Sequence, residues 1–204
     1  MFRRLFSIGA TLVVCALVSI PRGQAAPDPG AFVGELGNQG IQALSSGVPP
    51  QQRIARFRDL FQSDFDVTGI GRFAIGRYWQ AYTPAQQQEF LGLFKEYTAV
   101  AYADRLKEYG GAQFSVTGVQ NNGDETVVTS QVIRPNGQPA QIDWHLIDDN
   151  GTYKVTDVYV DRVSMKITQR DEFAKVIQNN GGRPDALLAV MRQKLREGQQ
   201  TPVR

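Results

Sequence analysis

QFSVTGVQNNGDETVVTSQVIRPNGQPAQIDWHLIDDNGTYKVTDVYV, Gln113 to Val160, decides the fold, because apolar residues recur there with a period of two. The spacing predicts four strands, Gln113 to Gln120, Thr126 to Arg134, Ala140 to Ile147 and Tyr153 to Val160, separated by NNGD, RPNGQP and DDNG. Those separators are hairpin-turn sequences, so the strands form an antiparallel meander. Ile142, Trp144 and Leu146 alternate with Gln141, Asp143 and His145, and Val128 and Val132 alternate with Thr129 and Gln131, which makes one face apolar. Val158, Tyr159 and Val160 in succession imply burial on both sides or a bulge.

Working outward, TPAQQQEFLGLFKEYTAVAYADRLKEYGG, Thr83 to Gly111, reads as one long amphipathic helix. Thr83 is its N-cap, Pro84 its first residue, Gln86 completes a capping box, and Gly110 with Gly111 ends it. Phe90, Phe94, Tyr97 and Ala101 form one stripe, widened by Leu93 and Val100, and Tyr102, Leu106 and Tyr109 form a second. Two apolar faces imply contacts on two sides, either ordinary core or the wall of a site for an apolar ligand. Upstream, Phe32 to Leu44 is weakly helical, with Gly34, Gly37 and Gly40 either weakening it or permitting close packing. Pro49 and Pro50 begin a firmer helix through Ile54, Phe57, Leu60 and Phe61, and Asp66 caps another that ends near Gly76. Two helices close the chain, Met165 to Gln178 and Pro184 to Glu197. The expected class is α+β: N-terminal helices and one long helix packed on a twisted four-stranded antiparallel sheet, with C-terminal helices.

The chain has 204 residues. Arg3 and Arg4, an apolar run from Leu5 to Ile20 and a small-residue end at Ala25 read as a secretory signal peptide, residues 1–25, leaving one domain over 26–204. No later segment approaches the ~20 apolar residues a bilayer span needs. Cys15, the sole cysteine, leaves with the signal, so disulfide chemistry is excluded from the mature chain. Loss of Arg3, Arg4 and Arg22 leaves 19 basic against 20 acidic residues, and no basic run forms a nucleic-acid or membrane clamp.

No catalyst stands out. One histidine and no mature cysteine make a metal site improbable, and His145 falls on the polar phase of its strand, where exposure is expected. Ser164 sits in RVSM, outside any G-x-S-x-G elbow. TGIGRFAIG, Thr68 to Gly76, has neither the preceding strand nor the lysine of a phosphate loop. The enzyme alternative is a carboxylate in a cone of curved sheet and helix, the arrangement of an NTF2-like isomerase. Asp157 is its first candidate and Asp143 its second, with Tyr97 or Tyr102 as oxyanion donor; Asp157 reads first as a solvated group or one that caps a structural hydrogen bond.

RFAIGRYW, Arg72 to Trp79, TPAQ with the spaced Phe90, Phe94, Glu96, Tyr97, Tyr102 and Leu106, then RPNGQPAQIDW, DVYVDRVSM and TQRDEFAKVIQNNGG together carry a resemblance. In order and spacing they resemble the MlaC, or toluene-tolerance, family across nearly the whole mature chain. The fuller motifs look closest to its hopanoid-biosynthesis-associated branch (HpnM). Arg162 departs from the pattern, since many relatives have Gly before VSM. The resemblance implies a helical layer over a twisted antiparallel sheet, enclosing an apolar cavity for lipid tails with the head group at its mouth. It further implies a periplasmic, monomeric, non-catalytic lipid carrier in an ABC-type transport system. Its cargo is phospholipid or hopanoid, and its partners are an inner-membrane transporter complex and an outer-membrane complex. No cofactor beyond the cargo is implied. A ligand-free adaptor is the other alternative.

A tail of about 16 carbons at ~0.8 kcal/mol per CH₂ faces a barrier of roughly 12 kcal/mol in bare water, so a carrier must cover it. The expected lipid-binding walls are Phe73, Ile75 and Trp79, then Phe94, Tyr97 and Val100 from the long helix. Val128, Val132, Ile142, Trp144, Val158, Val160 and Met165 come from the sheet and the turn after it. Inward strand positions and one helix face must converge, although each residue alone reads as core before it reads as ligand wall.

Overall fold

The computed structural model describes residues 28–45, 47–106 and 109–200. The expected signal peptide, with Cys15 and the expected cleavage after Ala25, lies outside the described residues. Helices α1 (Pro29–Leu44), α2 (Pro50–Asp64), α3 (Val67–Ile75) and α4 (Pro84–Arg105) come first, with a 3-10 turn over Gly76–Ala81. Strands β1 (Gln113–Asn122), β2 (Glu125–Ile133), β3 (Pro139–Asp149), β4 (Thr152–Val160) and β5 (Val163–Ser164) follow, then α5 (Met165–Asn179) and α6 (Asp185–Gln200). The strands pair in chain order, all antiparallel. The α+β class holds, with five strands where the periodicity gives four; β5 is two residues long, too short to show a period.

The β4–β5 turn consists of Asp161 and Arg162 at φ 47° and 69°. Glycine is the residue that takes this left-handed region without strain, so Arg162 stands where the backbone favours the family's Gly. Asp161 offsets the strain by accepting the Gln141 N–H through its carboxylate (3.1 Å) and donating its own N–H to the Gln141 carbonyl (2.9 Å). Within β4, His145 pairs with Asp157 while Leu146 pairs with Val155, leaving Thr156 as the extra residue of a bulge.

The capping box of α4 is formed: Thr83 Oγ1 accepts the Gln86 N–H at 3.3 Å and Gln86 Oε1 accepts the Thr83 N–H at 2.9 Å. The helix ends at Arg105, earlier than Gly110. Tyr109 has left the helix to meet the sheet, where its hydroxyl accepts from Arg134 Nη2 at 2.6 Å and the guanidinium lies over its ring. Gly111, at φ 81°, then turns the chain into β1.

Two cores result. Phe90, Phe94, Phe173, Ile177, Leu187 and Met191 lead an all-helical core, in which the Phe173 ring stands edge-on to Phe90 and Phe94 at 6.0 and 6.1 Å. Val33 and Leu36 of α1 pack on Val128, Leu146 and Val155 of the sheet. The helix lying on the sheet is therefore α1, while α4 packs chiefly on α2 and α6 and meets the sheet across a cavity.

Of the four α1 glycines, Gly37 is the close approach: a Cβ there would fall 2.4 Å from the Phe114 ring, whereas at Gly40 it would meet nothing within 4 Å. Gly40→Ala should then gain up to about 1 kcal/mol by ordinary helix propensity. Gly37→Ala should instead lose about 1–3 kcal/mol through overpacking. Urea denaturation of the two variants checks the opposite signs; equal gains would remove the Phe114 contact from the account.

Candidate functional site

Over the sheet lie two adjoining apolar lobes, one of about 180 Å³ beneath α4 and one of about 120 Å³ beneath α1 and α2. Together they reach the lower edge of the ~300–1,000 Å³ usual for small-molecule sites. Phe57, Phe61, Phe65, Leu106, Ile142, Trp144 and Val160 line both lobes, so the two share walls.

The larger lobe takes Phe94, Thr98 and Tyr102 from α4 and Leu106 from its C-cap. Their spacing of four puts them one above another on a single face. Opposite stand Val158 and Val160 of β4 and Ile142 and Trp144 of β3, with Met165, Lys166 and Gln169 of α5 closing one side. The smaller lobe adds Leu36, Gly37, Gly40 and Ile41 of α1, Leu60 of α2, and Tyr109, Phe114 and Val132.

The register explains why the sheet offers an apolar wall here. Ile142 pairs with Val160, and Trp144 with both Val128 and Val158, so all share one face. The indole is kept from presenting an unmet polar group: Trp144 Nε1 donates to Ser130 Oγ at 2.9 Å, and Ser130 Oγ donates to the Ile142 carbonyl at 3.3 Å. Tyr102 is also on the wall. Burial pushes its hydroxyl above the usual tyrosine range; the Arg105 charge opposes this, and Glu172 and Asp157 add to it. The phenol is held neutral, a donor rather than an anion. Thr98 Oγ1 is buried without a hydrogen-bond partner.

Seven of the expected wall residues line the cavity: Phe94, Val132, Ile142, Trp144, Val158, Val160 and Met165. Six stand elsewhere. Ile75 is buried in the helical core, where the half-buried Trp79 lies edge-on to Phe90 and Tyr97 tilts against Phe173. Phe73 lies beneath two cations of α5, Val100 is half-buried on another face of α4, and Val128 is sealed under α1. The periodicity missed Phe57, Phe61 and Phe65, although Phe57 and Phe61 were legible as one apolar side of α2.

The acids of the enzyme alternative are engaged. Asp157 is 3% exposed, and its carboxylate accepts from Ser164 Oγ (2.5 Å), the Val158 N–H (2.8 Å) and the Lys166 N–H (3.1 Å). It lines the larger lobe, yet it holds the start of α5. Asp143 lies off the cavity, bonded to Gln141 Nε2 at 3.0 and 3.1 Å. His145 is half-buried instead of exposed, its Nδ1 2.9 Å from Glu125 Oε1 and its ring against Tyr159. Among the described residues no three His, Cys, Asp or Glu side chains converge as metal ligands, and no helix is long and apolar enough to cross a membrane.

A family described as "MlaC protein" matches residues 38–193. The chain belongs to the MlaC family. This MlaC chain is 29% identical over 122 residues to the toluene tolerance protein ttg2D of Pseudomonas putida. The match takes in 59% of this chain and 57% of that relative, so the chain spans little more than half the relative's length. Its fold is that of a phospholipid-binding protein from Ralstonia solanacearum, solved in complex with a phospholipid. The two superpose with a TM-score of 0.70 at 22% identity, over 85% of this chain and all of the other.

Proposed function

We infer that this MlaC-family chain is a lipid carrier whose two-lobed cavity covers the tails of a phospholipid. The observation that carries the reading is the apolar wall of Ile142, Trp144 and Val160 that both lobes share. Covering a tail of about 16 carbons offsets roughly 12 kcal/mol of aqueous exposure, which is what a soluble shuttle must supply. The phospholipid named for the Ralstonia solanacearum structure supports the cargo class. The finer reading is a periplasmic shuttle, after signal cleavage, between an inner-membrane ABC-type complex and an outer-membrane complex, maintaining lipid asymmetry. It rests on the family resemblance, and so does a hopanoid as alternative cargo. The saturated carboxylate of Asp157 weighs against the isomerase-type reading.

Native mass spectrometry of residues 26–204, expressed into a periplasm and followed by denaturing extraction, tests the inference. A single phospholipid per chain is the expected result. A hopanoid would keep the carrier and change the cargo. A protein that stays empty after incubation with liposomes would overturn the carrier in favour of a ligand-free adaptor.

A further inference from the structure

Lys166, in the first turn of α5, is half-buried and lines the larger lobe. Its Nζ lies 4.9 Å from the centre of the Phe73 ring, and the Arg170 guanidinium lies 4.8 Å from the same centre. Arg170 is exposed and, like Phe73, does not line the lobe, so the pair of cations stands beside the lobe and Lys166 reaches it from the lobe wall. Among the described residues no ion pair joins either cation to a carboxylate. Two like charges held on one aromatic ring, one of them partly desolvated, repel each other, and a π face compensates them only weakly.

The neighbouring acids bond other groups. Asp157 is occupied by Ser164 and two backbone N–H groups, and Glu172 is bonded to Arg105 (3.3 Å) and to Gln169 Nε2 (3.3 Å). The first amides of α5 are also taken, Lys166 N–H by Asp157 and Ile167 N–H by Ser164 Oγ. Anion recognition here therefore falls to side-chain cations, not to the helix terminus. An anionic amphiphile with its tails in the lobes and its head beside Lys166 would bring a negative group to this pair.

Resting on the carrier reading above, we propose that Lys166 and Arg170 clamp the anionic phosphate of the cargo's head group beside the larger lobe. Charge-assisted contacts to phosphate are short and strong. The apolar stem of Lys166 covers the lobe beneath while its ammonium reaches the head group.

The test compares phosphatidylglycerol with diacylglycerol of the same acyl chains, taken up by delipidated protein, wild type and Lys166→Gln/Arg170→Gln. The wild type should prefer the phospholipid by roughly 10- to 100-fold, with a preference that shrinks as salt rises. The double variant should lose that preference, its phospholipid uptake falling to the level of its own diacylglycerol uptake, and its urea midpoint should report that it folds. Unchanged phospholipid uptake by the variant would overturn the clamp, and so would an equal loss of both lipids, since that assigns the residues to packing alone. Inorganic phosphate alone should leave the thermal midpoint unmoved; a shift as large as the lipid's would make this a free-anion site and overturn the head-group assignment. Failure of the wild type to take up either lipid would sink the carrier reading itself, a result distinct from failure of the clamp.

Discussion

Val160→Trp is expected to yield a folded protein that carries no lipid. Val160 is half-buried, lines both lobes and pairs with Ile142 across the β3–β4 ladder, so a larger side chain there projects into the space the lobes share. In a close-packed core such overpacking costs typically ~1–3 kcal/mol. Beside an open cavity much of the added indole has room, and the destabilisation should stay at about 1 kcal/mol or less. The consequence for cargo is far larger, because a tail excluded from both lobes returns its methylenes to water at ~0.8 kcal/mol each. Five displaced methylenes correspond to roughly 4 kcal/mol, about a thousandfold in affinity. Lipid extracted from periplasmically expressed protein should fall below about a tenth of the wild-type amount, while the urea midpoint stays near wild type. A folded Val160→Trp protein with its full complement of lipid would place the cargo outside this cavity.

Much of this arrangement is legible in the residues, and the misses have physical causes. Thr83, Pro84 and Gln86 announce the start of α4 because capping is local chemistry, and NNGD, RPNGQP and DDNG announce the hairpins for the same reason. Ile142, Trp144, Val158 and Val160 follow from strand alternation, since the side-chain period leaves only two faces. A helix offers no such binary choice. The stripe of α4 and its C-cap that faces the lobe is Phe94, Thr98, Tyr102 and Leu106, and the polar Thr98 interrupts its apolar signal. Tyr97 looked equivalent to Phe94, and both rings meet Phe173, but only Phe94 also reaches the lobe, a difference set by distant partners that local periodicity does not reveal. The same limit misplaced Phe73, Ile75 and Trp79, whose segment packs against α5 and α4. The α1 helix, broken up by glycine in the sequence, lies directly on the sheet because Gly37 admits the Phe114 ring.

Asp157→Ala should lower the free energy of unfolding by about 3–5 kcal/mol, a large share of the ~5–15 kcal/mol typical of a domain. Its carboxylate receives one hydroxyl and two backbone N–H groups, joining the bulged end of β4 to the start of α5. Alanine leaves these donors without their acceptor in a place that is 3% exposed for the wild-type residue, and each orphaned buried donor costs about 1–3 kcal/mol. Asp157→Asn keeps a single acceptor oxygen and adds an N–H₂ that faces other donors, so it should lose about half as much. Ser164→Ala should cost about 1–2 kcal/mol, since Ser164 Oγ also accepts the Ile167 N–H at 3.1 Å as the N-cap of α5. The double variant Asp157→Ala/Ser164→Ala should be less destabilised than the sum of the two, because the hydroxyl and the carboxylate share one bond. Urea denaturation with unchanged m-values tests the whole series. Because α5 carries Met165, Lys166 and Gln169 into the larger lobe, loosening its start also frees one wall of the cavity, and lipid retention should fall in the same order as stability. An Asp157→Ala protein as stable as wild type would separate the carboxylate from the fold and return it to consideration as a reacting group in the cavity.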